Sequence, residues 1–133
     1  MADILVIDDE ESIRYTFANF LAGDGHAVAT ARNYTEGVEQ ISRKSFDLIF
    51  SDIILGGRTG IDVLREVRER NFICPVVIIT GYPSIDTAAE AVRLGAFDYI
   101  PKPVEQEALL HITRLALEHG RLLRENDRYR ANL

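Results

Sequence analysis

The chain contains no tryptophan and only one cysteine and one methionine among its 133 residues. A lone cysteine, Cys74, can close no internal disulfide, which excludes a disulfide-stapled scaffold. It stands just before Pro75 and an apolar run, so it reads as a small buried hydrophobe, and a cytoplasmic setting fits. Long hydrophobic runs are missing too. None approaches the roughly 20 residues that span a bilayer, and no signal peptide opens the chain, so no membrane role is expected. Positive charge is in deficit: 15 Lys and Arg stand against 21 Asp and Glu, a net charge of −6. That balance argues against direct nucleic-acid contact by this chain. What remains is a 47% hydrophobic, 27% charged sequence without repeats or low-complexity tracts. It has the composition and length of one globular domain that buries about two-thirds of its unfolded surface.

Residues 46–60 organise the rest. Leu48-Ile49-Phe50 leads through Ser51 to Asp52, and then to Ile53-Ile54-Leu55 and the glycine-rich Gly56-Gly57-Arg58-Thr59-Gly60. A short, nearly continuous apolar run fits a strand buried on both faces of a parallel sheet. A carboxylate at its end needs water, a metal or a partner. In open α/β sheets ligands collect beyond the carboxyl ends of strands. Asp52 is therefore a site candidate; a helix cap or a plain loop aspartate is the alternative.

Along the chain, Ile4-Leu5-Val6-Ile7 reads as a first strand and runs into Asp8-Asp9-Glu10-Glu11. A first helix follows with Ile13, Phe17, Phe20 and Leu21 on one face, stopped by Gly23 and Gly25. Val28 marks a second strand, and Asn33 with Glu36 resembles a capping box for a second helix. A third helix starts at Gly60. Val76-Val77-Ile78-Ile79-Thr80 is a fourth strand, and Ile85, Ala88 and Val92 share one face of a fourth helix ending at Gly95. Residues 96–100 form a fifth strand, broken by Pro101-Lys102-Pro103. A last helix runs from about Glu105. Five strands alternating with five helices predict an α/β fold: a doubly wound parallel sheet covered on both faces.

This arrangement brings Asp8, Asp9, Asp52, Thr80 and Lys102 to one edge of the sheet. Clustered carboxylates raise one another's pKa unless a cation joins them, and all-oxygen ligands suit magnesium. Lys102 offers a point charge for a phosphate, and Thr80 a hydroxyl. A carboxylate nucleophile with these neighbours is equipped to accept a phosphoryl group.

At this point the chain resembles a bacterial two-component response-regulator receiver domain. The resemblance rests on Asp8-Asp9, Asp52, Thr80-Gly81, Tyr99 and Lys102-Pro103, in order and spacing, over residues 3–118. It implies a flavodoxin-like sheet of order 2-1-3-4-5. It makes Asp52 the phosphoacceptor for a sensor histidine kinase and Asp9 a direct magnesium ligand. Asp8 would act mainly through water, with the Ile54 carbonyl as a further ligand. Thr80 and Lys102 would hold phosphoryl oxygens. Tyr99 would be the aromatic switch residue and Pro103 would follow a cis bond. Such domains carry a proline four residues after the acceptor. Here that residue is Gly56, followed by Gly57, so a looser loop is expected.

Residues 1–118 would be the receiver and 119–133 a helical linker to an absent output domain. Leu115, Leu122 and Tyr129, interleaved with His119, Asn126 and Leu133, outline a short heptad seam for a homodimer. The Leu-Leu-Arg-Glu-Asn segment resembles the linker of enhancer-binding activators that work with the alternative sigma factor, which implies transcription regulation as the output. The chain would process only its own aspartyl phosphate and would not be an enzyme acting on other substrates. The rival reading is an aspartate-nucleophile phosphatase of the haloacid-dehalogenase type. Those place a second Asp two residues after the nucleophile, where this chain has Ile54. A flavin-binding flavodoxin-like domain fits poorly with the acidic first loop.

Overall fold

The computed structural model describes residues 1–131. Five strands, β1 (Asp3–Ile7), β2 (Ala27–Ala31), β3 (Leu48–Asp52), β4 (Val76–Thr80) and β5 (Asp98–Pro101), form one sheet of order 2-1-3-4-5. Every strand pair is parallel. Between and after them run α1 (Glu11–Gly23), α2 (Tyr34–Arg43), α3 (Gly60–Glu69), α4 (Ile85–Arg93) and α5 (Gln106–Ala131).

Strand alternation divides the core in two. Leu5, Ile7, Ile49 and Ile78 point to the face covered by α2, α3 and α4, where Ile41, Leu64, Val67 and Ala91 meet them. Ile4, Val6, Leu48, Phe50, Val77 and Ile79 point to the face covered by α1 and α5, against Phe17, Leu21, Leu109 and Ala116. The continuous apolar spelling of β1, β3 and β4 follows from this, because a strand covered on both faces has no polar side. Phe17 and Phe50 meet edge-on with centroids 5.9 Å apart, the T-shaped geometry that aromatic quadrupoles favour.

Helix starts are written locally. Asn33 accepts from the Glu36 amide at 2.8 Å. Glu36 does not reciprocate to Asn33; its carboxylate takes the Arg32 amide at 3.0 Å. The complete reciprocal box lies instead at α3, between Thr59 and Asp62. Helix α4 differs from the amphipathic expectation. Ile85 and Val92 are 87% and 72% exposed, and Ala91 is the residue it buries. The apolar face read from the sequence is thus turned to solvent, and α4 touches the sheet through a small residue.

The Gly56-Gly57 segment closes a short hairpin. Both glycines have positive φ, 56° and 82°. The Leu55 amide donates to the Arg58 carbonyl at 3.0 Å, and Ile54 faces Thr59 in an antiparallel bridge. Positive φ at both central residues is the signature of a type I′ hairpin turn, which proline at position 56 could not enter.

Helix α5 runs without a break through Gly120 into the last described turns. Gly120 is buried because the helix crosses Pro75 there: a Cβ would come within 3.1 Å of the proline Cδ. Leu115, Leu122 and Tyr129 form an exposed stripe, and Asn126 is exposed beside it, lining a cavity with His119 and Leu123. Leu133 lies outside the described residues.

Candidate functional site

The parallel sheet brings the carboxyl ends of β1, β3, β4 and β5 to one edge. Asp8 follows β1 and is fully buried; Asp52 ends β3 and is 5% exposed. Lys102 lies just past β5, and its Nζ stands 2.9 Å from Asp8 Oδ2, 3.3 Å from Asp52 Oδ2 and 3.3 Å from Glu10 Oε1. The Lys102–Pro103 peptide is cis. Asp9 is exposed at the mouth of the site. Carboxylate oxygens of Asp8, Asp9, Glu10 and Asp52 all lie within 4.8 Å of one another.

Backbone groups hold this cluster. The Glu10 amide donates to Asp8 Oδ1 at 2.9 Å, and Arg14 donates to the Asp8 carbonyl at 2.8 Å. The Ile54 amide approaches Asp52 Oδ1 at 3.4 Å. Gly60 begins α3 directly behind β3, where a Cβ would sit 2.4 Å from the Asp52 carbonyl oxygen. Only glycine fits that approach.

Electrostatics follow from burial. Asp52 is pushed up to about 6, first by desolvation and then by the neighbouring Asp8 charge, against the pull of Lys102. Asp8 is raised as well, chiefly by burial. Burial works against the charge of Lys102, but its contacts with Asp8 and Asp52 outweigh that and hold its pKa above the ordinary value. Cys74 is free and buried, and its thiol is pushed up to about 12 by burial, so it is inert.

Two carboxylates, each raised by burial, are under-compensated by one ammonium. Asp8 Oδ2 is buried without a properly aligned hydrogen-bond donor, although Lys102 stands 2.9 Å away as an ion-pair partner. An all-oxygen set with a buried oxygen lacking an aligned donor fits a hard divalent cation such as magnesium, and the carboxylates of Asp8, Asp9, Glu10 and Asp52 lie close enough together to hold one.

Thr80 is buried at the end of β4, and its hydroxyl accepts from the Tyr82 amide at 2.9 Å. Tyr99 is half-buried. Its hydroxyl lies 2.6 Å from Thr87 Oγ1 and accepts from the Ser84 amide at 3.2 Å, tying β5 to the start of α4. The cleft over Asp52 is small, about 110 Å³, and is lined by Asp9, Glu10, Asp52, Ile54, Gly81, Tyr82 and Lys102. A larger cavity, about 590 Å³, lies at the other end of the strands near Pro75 and Phe97 and contains none of these carboxylates.

Sequence reasoning missed Glu10 as a partner of Lys102 and Gly60 as the close neighbour of Asp52. Glu10 was visible as part of the acid run after β1. Gly60 carried no signal beyond its place at a helix start.

The family model for the response regulator receiver domain matches residues 4–114. The transcriptional regulatory protein ZraR of Klebsiella oxytoca is 41% identical over 120 residues, 90% of this chain and 27% of that protein. The DNA-binding transcriptional regulator NtrC of Escherichia coli K12 is 34% identical over 87% of this chain and 25% of its own length. This chain thus spans about a quarter of the curated relatives it matches. Among solved structures, NtrX from Brucella abortus superposes with a TM-score of 0.90 at 37% identity, covering 99% of this chain and 31% of that one. The beryllofluoride-activated NtrC4 receiver domain dimer superposes with a TM-score of 0.85 at 31% identity, covering 90% of this chain and 99% of that one. With its sheet order, its buried acidic edge and the family match over most of its length in agreement, the chain belongs to the response regulator receiver domain family.

Proposed function

We propose that the chain is the phosphoacceptor of a two-component system and takes a phosphoryl group from a sensor histidine kinase on Asp52. The observation that carries this reading is the convergence of Asp52, Asp8 and Lys102 within 3.3 Å contacts, leaving a buried carboxylate oxygen without an aligned donor. A carboxylate oxygen of Asp52 attacks phosphorus as the bond to the kinase imidazole nitrogen breaks. The nitrogen keeps the bonding pair, and Asp52 becomes an acyl phosphate. Magnesium, when bound, offsets the charge that gathers on the phosphoryl oxygens and the carboxylates. Lys102 turns from Asp8 and Asp52 to a phosphoryl oxygen. The Thr80 hydroxyl, now accepting from Tyr82, donates to another. Water later attacks phosphorus and restores the carboxylate, so the only turnover is of the chain's own phosphate.

The neighbouring switch is Tyr99, whose hydroxyl ties β5 to Ser84, the cap of α4, and to Thr87 within it. Movement of Thr80 toward the phosphate alters this end of α4. In the longer protein the signal passes along α5 to a transcription-regulating output of the enhancer-binding, alternative-sigma-factor type, in the cytoplasm. This chain contacts no DNA itself. A homodimer forms through the exposed stripe of α5.

Incubation with a small phosphodonor and magnesium, followed by intact mass, tests the acceptor. A gain of one phosphoryl group that disappears in Asp52→Asn is expected. Undiminished labelling of Asp52→Asn would overturn the assignment.

A further inference from the structure

Between β3 and α3 the chain closes a two-residue hairpin at Gly56-Gly57, and the register of that hairpin bears on the acceptor. Leu55 N–H donates to Arg58 C=O, and Gly60 N–H donates to Ile53 C=O, both at 3.0 Å. These two bonds bracket Ile54 and Thr59, which makes them the non-hydrogen-bonded pair of the ladder. In such a pair the N–H and C=O of each residue point away from the opposite strand. The Ile54 N–H accordingly meets Asp52 Oδ1. Its carbonyl shares that outward edge and accepts no hydrogen bond among the described residues. A one-residue slip would turn this edge away.

The hairpin is held from outside. The Arg58 guanidinium lies over the Tyr34 ring, 4.2 Å from its centroid, at the start of α2. Arg58 Nε also reaches Asp62 of α3 at 3.8 Å. Tyr34 itself packs on the core beneath α2 and α3. A flat cation on a seated aromatic ring fixes a hairpin tip at low entropic cost.

We propose that Arg58 and Tyr34 are positioning residues for the cation site: their stacking holds the Gly56-Gly57 hairpin in the register that presents the Ile54 carbonyl beside Asp52. The inference rests on the magnesium reading above. It gives the Gly-Gly pair a definite role: positive φ at both positions closes a hairpin where a proline would otherwise stiffen the loop.

The test is magnesium titration of the unphosphorylated protein, followed by tyrosine fluorescence or amide shifts, with the melting temperature without magnesium measured alongside. Arg58→Ala and Tyr34→Leu should each weaken magnesium binding about two- to fivefold, the range for an exposed cation–π contact. The double variant should be no weaker than the poorer single one, because both remove the same contact. Tyr34→Phe keeps the ring and should bind like the native chain. Arg58 is exposed, so its removal leaves the core intact. A native chain that binds magnesium, with Arg58→Ala and Tyr34→Leu binding equally well, would overturn this role and leave the acceptor reading standing. So would a loss in melting temperature without any loss in affinity. A native chain that binds no magnesium would overturn both.

Discussion

Lys102 Nζ lies closer to Asp8 Oδ2, at 2.9 Å, than to Asp52 Oδ2, at 3.3 Å. Asp8 is fully buried, and Lys102 is the counter-charge it pairs with. Removing one partner of a buried pair leaves an uncompensated charge. Lys102→Met should therefore destabilise the domain by about 3 kcal/mol in urea unfolding. Adding Asp8→Asn to that variant should recover most of the loss. Equal stability of Lys102→Met and the native chain would show that the pair contributes nothing net.

The acceptor carboxylate stores unfavourable charge. Asp52 titrates near 3.8 when unperturbed and is raised to about 6 in the folded chain by burial and then by Asp8. The folded state thus binds the proton more tightly than the unfolded one. Through this group, stability falls as pH rises from about 4 to 6 and stays lower above. Asp52→Asn should raise stability at pH 7 by about 1–3 kcal/mol and flatten this window. Magnesium should oppose the effect: at ten times its dissociation constant it adds about 1.4 kcal/mol. Phosphorylation and magnesium affinity should both decline below about pH 6, as Asp52 is protonated. Melting curves at several pH values, with and without the ion, check stability and magnesium binding, and intact mass after phosphodonor treatment at the same pH values checks phosphorylation.

Gly60 stands directly behind the acceptor. Gly60→Ala would place a methyl 2.4 Å from the Asp52 carbonyl oxygen, a backbone atom that cannot rotate aside. Stability should fall by about 1–3 kcal/mol, the range for overpacking. Phosphorylation should slow because Asp52 shifts. Gly23→Ala is the contrast. Nothing lies within 4 Å of its Cβ position in the last turn of α1. That change should be neutral or stabilising by up to about 1 kcal/mol.

Leu115, Leu122 and Tyr129 are 48%, 50% and 67% exposed along one side of α5. An apolar stripe at seven-residue spacing is expected to pair with a second copy, and sedimentation at several concentrations measures it. Leu122→Asp should shift the chain toward monomer. An unchanged association state, with and without a phosphoryl mimic, would remove the stripe as the interface. Gly120 lies where α5 crosses Pro75, and an added Cβ there would come 3.1 Å from the proline Cδ.

Much of this molecule is determined by local spelling. Short apolar runs in β1, β3 and β4 read as strands covered on both faces, because they show no alternating polar side. Their alternation with helical periodicities dictated a parallel sheet, and a parallel sheet with strand-end carboxylates placed Asp8, Asp52, Thr80 and Lys102 on one edge. Asn33 showed its cap for the same reason: a side chain bonding an amide three residues on is a local event. Tertiary structure decided the rest. Whether Lys102 leans to Asp8, Asp52 or Glu10 depends on strand register between segments 50 and 92 residues apart. Helix α4 spells an apolar face at Ile85 and Val92, yet the sheet receives Ala91, because the crossover from β4 to β5 sets how the helix rolls. That Gly56 and Gly57 close a hairpin shows only in the ladder between Ile54 and Thr59. Periodicity reports what a segment can bury. Which neighbour meets it is a property of the packed chain.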